Sequence, residues 1–468
     1  MVQAYSYEIK YKKPHIYFNV FKDEEWSVLL ESARYSEELG RYSFICTDPF
    51  ETLICKDGKV NLNSDLMNLD PLEYLKKASR KFKLNHIHDR PPFQGGVAGY
   101  LSYDFCHFFE KISFHRTDDL EFPDVSVGLY DLVVGFDHLN EKAWIFSSGF
   151  PELDENKRRR RAEERYGWML EKLNQLEKLG EPKKLSKCVL KKEEITSNFT
   201  KAEYKKSVGE VINYILEGDI FEANISQRFI ATLPLELPPY DLYQRLRVFN
   251  SAPFSAYINH GNVKLLSASP ERFLKVSGDV VEARPIKGTR PRGKSAEEDM
   301  EFIKELETSE KDFSENVMIV DLMRNDLSRV CEDNSVVVEK LCGIETFSTV
   351  HHLVSVIIGK LLSDNGPFEV LKATFPGGSI TGAPKIRSME IISKIEPTCR
   401  GPYCGSIGYI GFNGELDLSI TIRTFSIKDN KITFQVGGAI VLGSDPEFEY
   451  EETLHKASGL MRSLTDVI

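Results

Sequence analysis

Lys287 lies in the segment 282–293, EARPIKGTRPRG, in which two prolines and two glycines restrict the backbone on both sides of the lysine. A lysine amine becomes a nucleophile when it is neutral, and burial away from water lowers the pKa of an amine. The segment is therefore compatible with a lysine that is held in place for chemistry. A simpler interpretation is a flexible lysine in a surface turn, and these residues alone leave both open.

Four acidic side chains are predicted to lie in pairs on two helices that are far apart in the sequence. Asp312 and Glu315 are three residues apart, and so are Glu449 and Glu452, with Lys456 on the same face. Carboxylates on one helix face repel each other in a partly buried cleft unless a hard cation such as Mg²⁺ lies between them. Acids near a helix N-terminus can also merely complement the helix dipole, so the spacing permits both interpretations.

Capping signals predict the helices that position these residues. One helix begins after Ser309, and another begins at 444–446, where Pro446 takes the first helical position after Asp445. A third begins with the capping box of Thr200 and Glu203, ends at Gly218 and precedes a strand at 220–229.

Strand-like runs occupy much of the rest of the chain. They include 95–103, 131–136, 263–276 and 280–286, and the last two are predicted to form a hairpin across 277–279. Helical spacing predicts an amphipathic helix at 154–179. Its basic run 157–161 is interpreted as a solvated face balanced by neighbouring glutamates, because a nucleic-acid patch fits poorly with an acidic chain.

The composition is that of a water-soluble enzyme-sized protein. The chain has 468 residues, 28% of them charged, and a formal net charge of −11, which argues against a nucleic-acid partner. No apolar signal segment or membrane-spanning run is present, so we expect a cytoplasmic protein that does not enter a membrane. The eight cysteines form no C-x-x-C pair and are predicted to be reduced core thiols. A polar stretch at 180–197 is the predicted linker between a region 1–185 and a region 198–468.

A series of short motifs in one order resembles the chorismate-utilising enzymes, the family that includes the large components of anthranilate synthase and aminodeoxychorismate synthase and also isochorismate and salicylate synthases. The motifs extend over 198–465 and are these: Gly218-Asp219-Ile220-Phe221, Ser269-Pro270-Glu271-Arg272-Phe273, Pro285-Ile286-Lys287-Gly288-Thr289, Lys311-Asp312-x-x-Glu315-Asn316, Met323-Arg324-Asn325-Asp326-Leu327, Ser348-Thr349-Val350-His351-His352-Leu353, Gly378-Ser379-Ile380-Thr381-Gly382-Ala383-Pro384-Lys385, Ile422-Arg423-Thr424 and Gly437-Gly438-Ala439-Ile440-Val441. The resemblance implies an α+β fold in which two large antiparallel sheets pack on each other, flanked by helices, with the N-terminal region contributing to a shared core.

The resemblance also implies roles for individual residues. Mg²⁺ would hold the ring carboxylate of chorismate, with Glu315 and Glu452 as ligands and Asp312 and Glu449 close by. The implied substrate contacts are Arg423, Tyr403, Gly437, Gly438, Ala439, Lys456, Thr289 and Ser379. Each of these residues also has a purely structural alternative. Arg423 could form an ion pair at a sheet edge, Tyr403 could be a core ring, and the glycines could form a bulge.

Lys287 separates the members of this family. Aminodeoxychorismate synthases carry Pro-Ile-Lys-Gly-Thr as it stands here, whereas the other members typically have alanine at the lysine position. The resemblance implies that Lys287, with its amine pKa lowered in a closed pocket, attacks C2 of chorismate as the C4 hydroxyl leaves. It also implies that Glu271 is the general acid and that His352 lies close to it. Ammonia then attacks C4 and releases 4-amino-4-deoxychorismate, a precursor of 4-aminobenzoate and folate.

Three further expectations follow from this resemblance. Glu222 stands where amine-transferring members commonly have glutamine, and we expect it to attract or deprotonate ammonium. None of the cysteines lies in the G-x-C-x-G elbow of a glutamine amidotransferase, so a separate amidotransferase subunit is expected to supply ammonia. Leu30, Glu31 and Ser32 resemble part of a tryptophan pocket. The alternatives are an anthranilate synthase large component, or an inactive homologue that only binds a ligand.

Overall fold

The structure is a computed structural model that describes residues 2–34, 39–113, 116–178, 190–347 and 350–465. Across these ranges the chain forms two sheets of 12 strands each, with helices packed around them, and every pair of neighbouring strands in named register is antiparallel. The expected α+β architecture is confirmed.

The strands are short, and most have five to seven residues. Their bounds are β1 Tyr5–Ile9, β2 Ser27–Glu31, β3 Tyr42–Cys46, β4 Glu51–Lys56, β5 Lys59–Leu62, β6 Asp65–Met67, β7 Gly96–Leu101, β8 Val125–Tyr130, β9 Leu132–Asp137, β10 Lys142–Ser147, β11 Thr196–Ser197, β12 Glu222–Thr232, β13 Phe254–His260, β14 Val263–Ser269, β15 Arg272–Ser277, β16 Val280–Ala283, β17 Ile286–Pro291, β18 Val337–Thr346, β19 Val350–Lys360, β20 Gly382–Ala383, β21 Ser406–Gly411, β22 Leu416–Ile420, β23 Thr424–Lys428 and β24 Lys431–Ile440.

The α-helices of the described residues lie on the outer faces and ends of the sheets. Their bounds are α1 Pro14–Phe18, α2 Pro71–Lys81, α3 Glu155–Asn174, α4 Lys201–Leu216, α5 Pro239–Phe249, α6 Ala296–Glu307, α7 Glu310–Ser328, α8 Pro367–Thr374, α9 Lys385–Ile395 and α10 Pro446–Leu464. None of these helices is long and apolar enough to cross a lipid bilayer.

Both sheets combine strands from the two halves of the chain. Sheet 1 runs in the order β1-β10-β9-β3-β2-β13-β14-β23-β24-β12-β11, with β20 paired to β12. Sheet 2 runs in the order β17-β19-β16-β15-β22-β21-β7-β8-β4-β5-β6, with β18 also paired to β19. The predicted regions 1–185 and 198–468 thus share both sheets, and the boundary between them stays a prediction.

The two sheets pack on each other through one apolar cluster, and successive side chains of a strand face opposite sides. In β13, Ala256 and Ile258 belong to the cluster that joins sheets 1 and 2, whereas Tyr257 between them packs toward the helices on the outer face of sheet 1. Val28 and Leu29 of β2 divide in the same way. Sheet 1 is therefore apolar on both faces, and helices cover the face that sheet 2 leaves open.

The capped helices were predicted correctly. Thr200 accepts the Glu203 backbone N–H while the Glu203 carboxylate accepts the N–H of Thr200, which closes the capping box of α4. Ser309 caps α7 and Asp445 caps α10, each through its side-chain oxygen. These caps satisfy backbone N–H groups that otherwise lack partners in the first turn.

The predicted strand 263–276 is wrong as a single element. It consists of β14 in sheet 1 and β15 in sheet 2, and the chain passes between the sheets at Pro270 and Glu271. A proline has no N–H to donate to a sheet, so the strand is interrupted there. The hairpin of β15 and β16 is confirmed, but β16 ends at Ala283, before Pro285.

The predicted helix 154–179 is shorter in the structure. It is α3, capped by Asp154, and a 3-10 turn at Gln175–Lys178 follows. Arg159 and Arg160 form exposed ion pairs one turn apart with Glu163 and Glu164, which confirms the solvated-face interpretation for these two residues. Arg158, by contrast, is buried, and its guanidinium donates a hydrogen bond to the Ser148 carbonyl.

One other predicted segment falls partly on residues outside the described ranges. The linker at 180–197 lies outside them from 180 to 189, and its end forms β11, which pairs with β12. The predicted strand at 220–229 is β12, which begins two residues later and extends to Thr232. Cys188 is likewise not described, and the other seven cysteines carry free thiols, six of them buried.

Candidate active site

The site forms where the chain passes twice between the two sheets. Glu271 lies in the passage from β14 to β15, and Arg423 lies in the passage from β22 to β23. The two passages are hydrogen-bonded to the strand ends beside them, from the Ala268 N–H to the Arg423 carbonyl and from the Ile420 N–H to the Glu271 carbonyl. These bonds bring the backbones of Glu271 and Arg423 into the same part of the molecule, although the two residues are far apart in the sequence.

Lys287 lies on β17 of sheet 2, at a bulge in its pairing with β19. Gly288 forms the bulge with a φ of +76°, a conformation that favours glycine. A Cβ at this position would lie 2.8 Å from Leu306 and 3.0 Å from the Cβ of Asp312. The bulge therefore allows α6 and α7 to pack closely beneath the lysine.

The Lys287 amine is buried, not in a surface turn, and only 7% of the residue is exposed. It donates a 2.7 Å hydrogen bond to Oε1 of Glu222 on β12, so this ion pair joins sheet 2 to sheet 1. Burial lowers the pKa of Lys287, but the charges of Glu222 and Glu315 outweigh it and leave the pKa raised. The prediction of a lowered pKa is wrong for the protein without substrate, because carboxylates surround the amine.

Glu271 has the protonation behaviour expected of an acid. Burial raises its pKa to about 7. The hydrogen bond from Ser379 and the charge of Lys287 both lower the pKa, but they offset only part of the effect of burial. Ser379 Oγ donates to Glu271 Oε1 at 2.6 Å, so this predicted substrate contact is bonded to the acid in the structure. At neutral pH a large fraction of Glu271 can therefore donate a proton.

His352 lies beside the lysine strand. Its Nδ1 is 2.8 Å from the hydroxyl oxygen of Thr289. Thr289 was predicted to contact the substrate, and in the structure its hydroxyl is hydrogen-bonded to His352 instead. Burial and the positive charge of Arg423 lower the pKa of His352 to about 3. The imidazole is neutral at physiological pH and can serve only as a hydrogen-bonding group.

The four predicted metal carboxylates converge from α7 and α10. Lys311 links the helices, with its amine 3.2 Å from Glu449 and 3.9 Å from Glu315. Glu452 pairs with Lys456 at 2.6 Å, and Asp312 accepts from Arg290 at 3.1 Å. Of the four, Glu315 has the most distant ion-pair partner, whereas Glu449 is bonded to Lys311 and also accepts a 2.6 Å hydrogen bond from the Ser444 hydroxyl.

Magnesium fits this donor set. Oε1 of Glu315 and Oε2 of Glu449 are buried and accept no hydrogen bond from the described residues. Burial raises the pKa of Glu315 to about 7, and Glu222 and Asp312 add to the effect while Lys287 opposes it. No three acidic, histidine or cysteine side chains of the described residues form a ready metal cluster. Mg²⁺ typically takes one or two protein carboxylates and fills its other positions with water and substrate oxygens.

Arg423 is available for an anion. It has a φ of +50°, which is uncommon for arginine, and within the described ranges its guanidinium forms no ion pair. The alternative role in a sheet-edge ion pair therefore finds no support among these residues. Burial lowers the pKa of Arg423, and an arginine remains charged nonetheless.

Tyr403 lies close by, in the turn before β21. The turn is tied to the second passage by the hydrogen bond from the Cys404 N–H to the Thr421 carbonyl. Its ring belongs to the apolar core beneath sheet 2, with only 8% of the residue exposed. The ring of Tyr403 is therefore a core ring, as the alternative interpretation has it, and the contact of its hydroxyl with substrate stays a prediction.

One glycine of β24, Gly438, faces the carboxylates. Gly437, Gly438 and Ala439 pair with Ser226, Ile225 and Asn224 of β12. A Cβ on Gly438 would lie 3.1 Å from Glu449 Oε2, 3.8 Å from Glu452 Oε1 and 3.9 Å from the Lys456 amine. Lys456 also donates to the Gly437 carbonyl at 2.9 Å, so β24 and α10 together line one side of the site.

Leu30, Glu31 and Ser32 lie away from this site, on and just after β2, and line a separate cavity of about 750 Å³. The Glu31 carboxylate is already bonded to His15 at 3.1 Å, Tyr243 at 3.0 Å and Arg247 at 2.7 Å. Tryptophan binding there stays a prediction.

Sequence reasoning gave no role to two charged residues of the site, Arg290 and Lys311, although Lys311 belongs to one of the family motifs. Lys311 stands four residues before Glu315, a spacing that signals an ion pair within a helix. The contact of Lys311 with Glu449 and that of Arg290 with Asp312 join different elements, so no local pattern reveals them.

The chain belongs to the family described as chorismate binding enzyme, which matches residues 26–462. Two curated relatives are equally similar. The anthranilate synthase component 1 of Acetivibrio thermocellus is 36% identical over 96% of this chain and 92% of its own. The aminodeoxychorismate synthase component 1 of Bacillus subtilis is also 36% identical, over 93% of this chain and 91% of its own.

A solved structure agrees with this assignment. The anthranilate synthase component I of Streptococcus pneumoniae matches with a TM-score of 0.78 and 32% identity, over 89% of this chain and 91% of its own. The family is thus established, and the relatives leave open which member of it this chain is.

Proposed function

We propose that the protein is an aminodeoxychorismate synthase component I, which converts chorismate and ammonia to 4-amino-4-deoxychorismate. One observation carries the proposal: a lysine that is 7% exposed faces the acid Glu271, the base Glu222 and the carboxylates of α7 and α10. Burying a lysine and its carboxylate partners costs desolvation free energy, and a covalent reaction with the substrate is a function that would account for this cost.

The substrate side of the proposal rests on charge. Chorismate is a dianion, and Arg423 is a guanidinium without an internal carboxylate partner in the described residues, so it suits one carboxylate. Glu315 and Glu449, with Glu452, would hold magnesium, which when bound supplies positive charge to the other carboxylate. Gly438 of β24 leaves room for the ring beside these groups.

The chemical steps are assigned to residues of this chain. The neutral Lys287 amine attacks C2 of the ring, and Glu271 gives its proton to the departing C4 oxygen, which leaves as water. Ammonia then attacks C4 and displaces the lysine. The component 1 names of the relatives support a second component, which we propose is a glutamine amidotransferase that supplies this ammonia.

The test is to incubate the protein with Mg²⁺ and chorismate without ammonia and to measure its intact mass. We expect a covalent adduct, located at Lys287 by peptide mapping, that disappears in Lys287→Ala and persists in the control Lys304→Ala, whose lysine is exposed on α6. With ammonia and an added aminodeoxychorismate lyase, 4-aminobenzoate should form.

Two outcomes would contradict the proposal. Fluorescent anthranilate formed from chorismate and ammonia without a lyase would assign the chain to the anthranilate synthases, the second candidate that the equal identities support. Binding of chorismate without any consumption, in the presence of Mg²⁺ and ammonia, would indicate an inactive homologue. Consumption that a chelator abolishes would exclude that alternative.

A further inference from the structure

Glu222 and Lys287 form an ion pair that the sequence around either residue does not predict. Glu222 is fully buried at the start of β12, where β12 pairs with β20 and Ser388 Oγ donates to the Glu222 carbonyl. Its Oε1 accepts a hydrogen bond from the Lys287 amine, with an N–O distance of 2.7 Å. Its Oε2 is buried and has no hydrogen-bond partner in the described ranges. The carboxylate is thus rigidly placed and has one oxygen free.

We propose that Glu222 is the proton acceptor of the nucleophile, taking a proton from the Lys287 ammonium before the amine attacks and returning it when the amine leaves. This inference rests on the proposed function. It replaces the expected action of Glu222 on ammonium with an action on the lysine itself, because the lysine is the group that the carboxylate contacts.

The other groups that face the lysine are less suitable acceptors. Glu222 is the one carboxylate of the described residues at ion-pair distance from the Lys287 amine, and Glu315 on α7 acts on it only at longer range. Glu271 accepts from Ser379 and must keep its own proton for the leaving oxygen. His352 on β19 is bonded to Thr289.

The proton balance closes within the site. Lys287–NH₃⁺ and Glu222–COO⁻ become Lys287–NH₂ and Glu222–COOH, and the amine lone pair forms the N–C2 bond. The electrons of the ring diene shift toward C4, the C4–O bond breaks, and the oxygen leaves as water with the proton of Glu271. Ammonia attacks C4, the N–C2 bond breaks to give neutral Lys287, and this amine recovers its proton from Glu222. The product ammonium then reprotonates Glu271.

The experiment compares rates of adduct formation on Lys287 from pH 6 to pH 8.5, measured by rapid quenching and intact-mass spectrometry with Mg²⁺ and chorismate. Glu222→Gln keeps the shape of the side chain but cannot accept a proton. We expect it to be slower than the wild-type protein by about 100-fold or more at pH 6.5, the usual range for loss of a general base. The ratio of variant to wild-type rate should rise about tenfold per pH unit, because hydroxide must then free the amine. Using the ratio cancels the titration of Glu271.

Two further variants make the result decisive. Glu222→Asp retains a base, so its rate ratio should be independent of pH even if the rate is lower. Glu210→Gln, an exposed glutamate on the neighbouring α4, should match the wild-type protein at every pH. A ratio for Glu222→Gln that is flat with pH, or a pH-dependent ratio for Glu222→Asp, would overturn the inference while leaving the proposed function intact. Absence of any adduct in the wild-type protein would overturn both.

Discussion

At the scale of single residues, the site depends on the balance between burial and charge. Lys287 and Glu271 are both buried, yet burial dominates the pKa of Glu271, which rises, while the neighbouring carboxylates dominate that of Lys287. The difference lies in the partners, because Glu271 is bonded to a neutral hydroxyl and Lys287 to a carboxylate. At neutral pH a large fraction of the free protein therefore holds a protonated Glu271 together with a protonated Lys287, and the amine needs a proton acceptor before it can react.

The raised pKa of Glu271 predicts a pH-dependent cost to stability. Its pKa is about 7 in the folded protein against 4.5 without burial, so the folded state keeps the proton where the unfolded state loses it. The favourable contribution is complete below pH 4.5 and is lost as the pH rises through 7. Glu271→Gln cannot ionise, so we expect the variant to gain about 2 to 3 kcal/mol on the wild-type protein between pH 5 and pH 8.

Urea denaturation of both proteins at the two pH values measures this difference. The same variant should lose adduct formation at every pH, because glutamine cannot protonate the leaving oxygen. Equal pH dependence of the two unfolding free energies would show that Glu271 ionises normally in the folded protein.

At the scale of elements, the glycine pair of β24 has two different functions. A Cβ on Gly437 would lie 2.4 Å from the backbone carbonyl oxygen of Ile225 on the paired strand β12, which cannot move without separating the strands. A Cβ on Gly438 would instead point at the carboxylates of α10 and would contact no backbone atom. Gly437 thus serves the packing of sheet 1, and Gly438 leaves space in the site.

The two alanine variants should separate these functions. We expect Gly437→Ala to lower the free energy of unfolding by roughly 1 to 3 kcal/mol through overpacking. Gly438→Ala should leave stability almost unchanged and raise the KM for chorismate, because its methyl group occupies substrate space. Calorimetry and steady-state kinetics on both variants provide the comparison, and the reverse pattern would place the substrate on the other side of β24.

At the scale of the whole molecule, both sheets are built from strands of both predicted regions. Residues before 150 supply β1, β2, β3, β9 and β10 to sheet 1 and β4 to β8 to sheet 2. In a fragment that begins at 198, both sheets lose these strands, and the apolar cluster that joins the sheets loses residues such as Phe44, Tyr100 and Val133. Neither sheet can then bury its inner face.

We therefore expect the fragment 198–468 to be unable to fold alone. It should show no cooperative thermal transition, whereas the full chain should unfold in a single one. Circular dichroism and differential scanning calorimetry on both proteins test this expectation. A fragment that melts cooperatively, or a full chain with two separate transitions, would show that 1–185 and 198–468 are independent domains.

The sequence by itself determined what depends on near neighbours. The caps of α4, α7 and α10 and the hairpin of β15 and β16 were predicted because capping and turn chemistry act within a few residues. The order of motifs was enough to identify the family. The residue types that carry the chemistry, a lysine, an acid and two pairs of carboxylates, were also visible, since a motif keeps its residues at fixed spacing.

Only the tertiary structure decided how these residues act on one another. It showed that β14 and β15 lie in different sheets, that Lys287 on sheet 2 contacts Glu222 on sheet 1, and that Lys311 joins α7 to α10. The direction of the pKa shift of Lys287 followed from these contacts and reversed the prediction from burial alone. The physical reason is that Coulomb interactions depend on distance in space, and residues 65 positions apart in the chain are here separated by 2.7 Å.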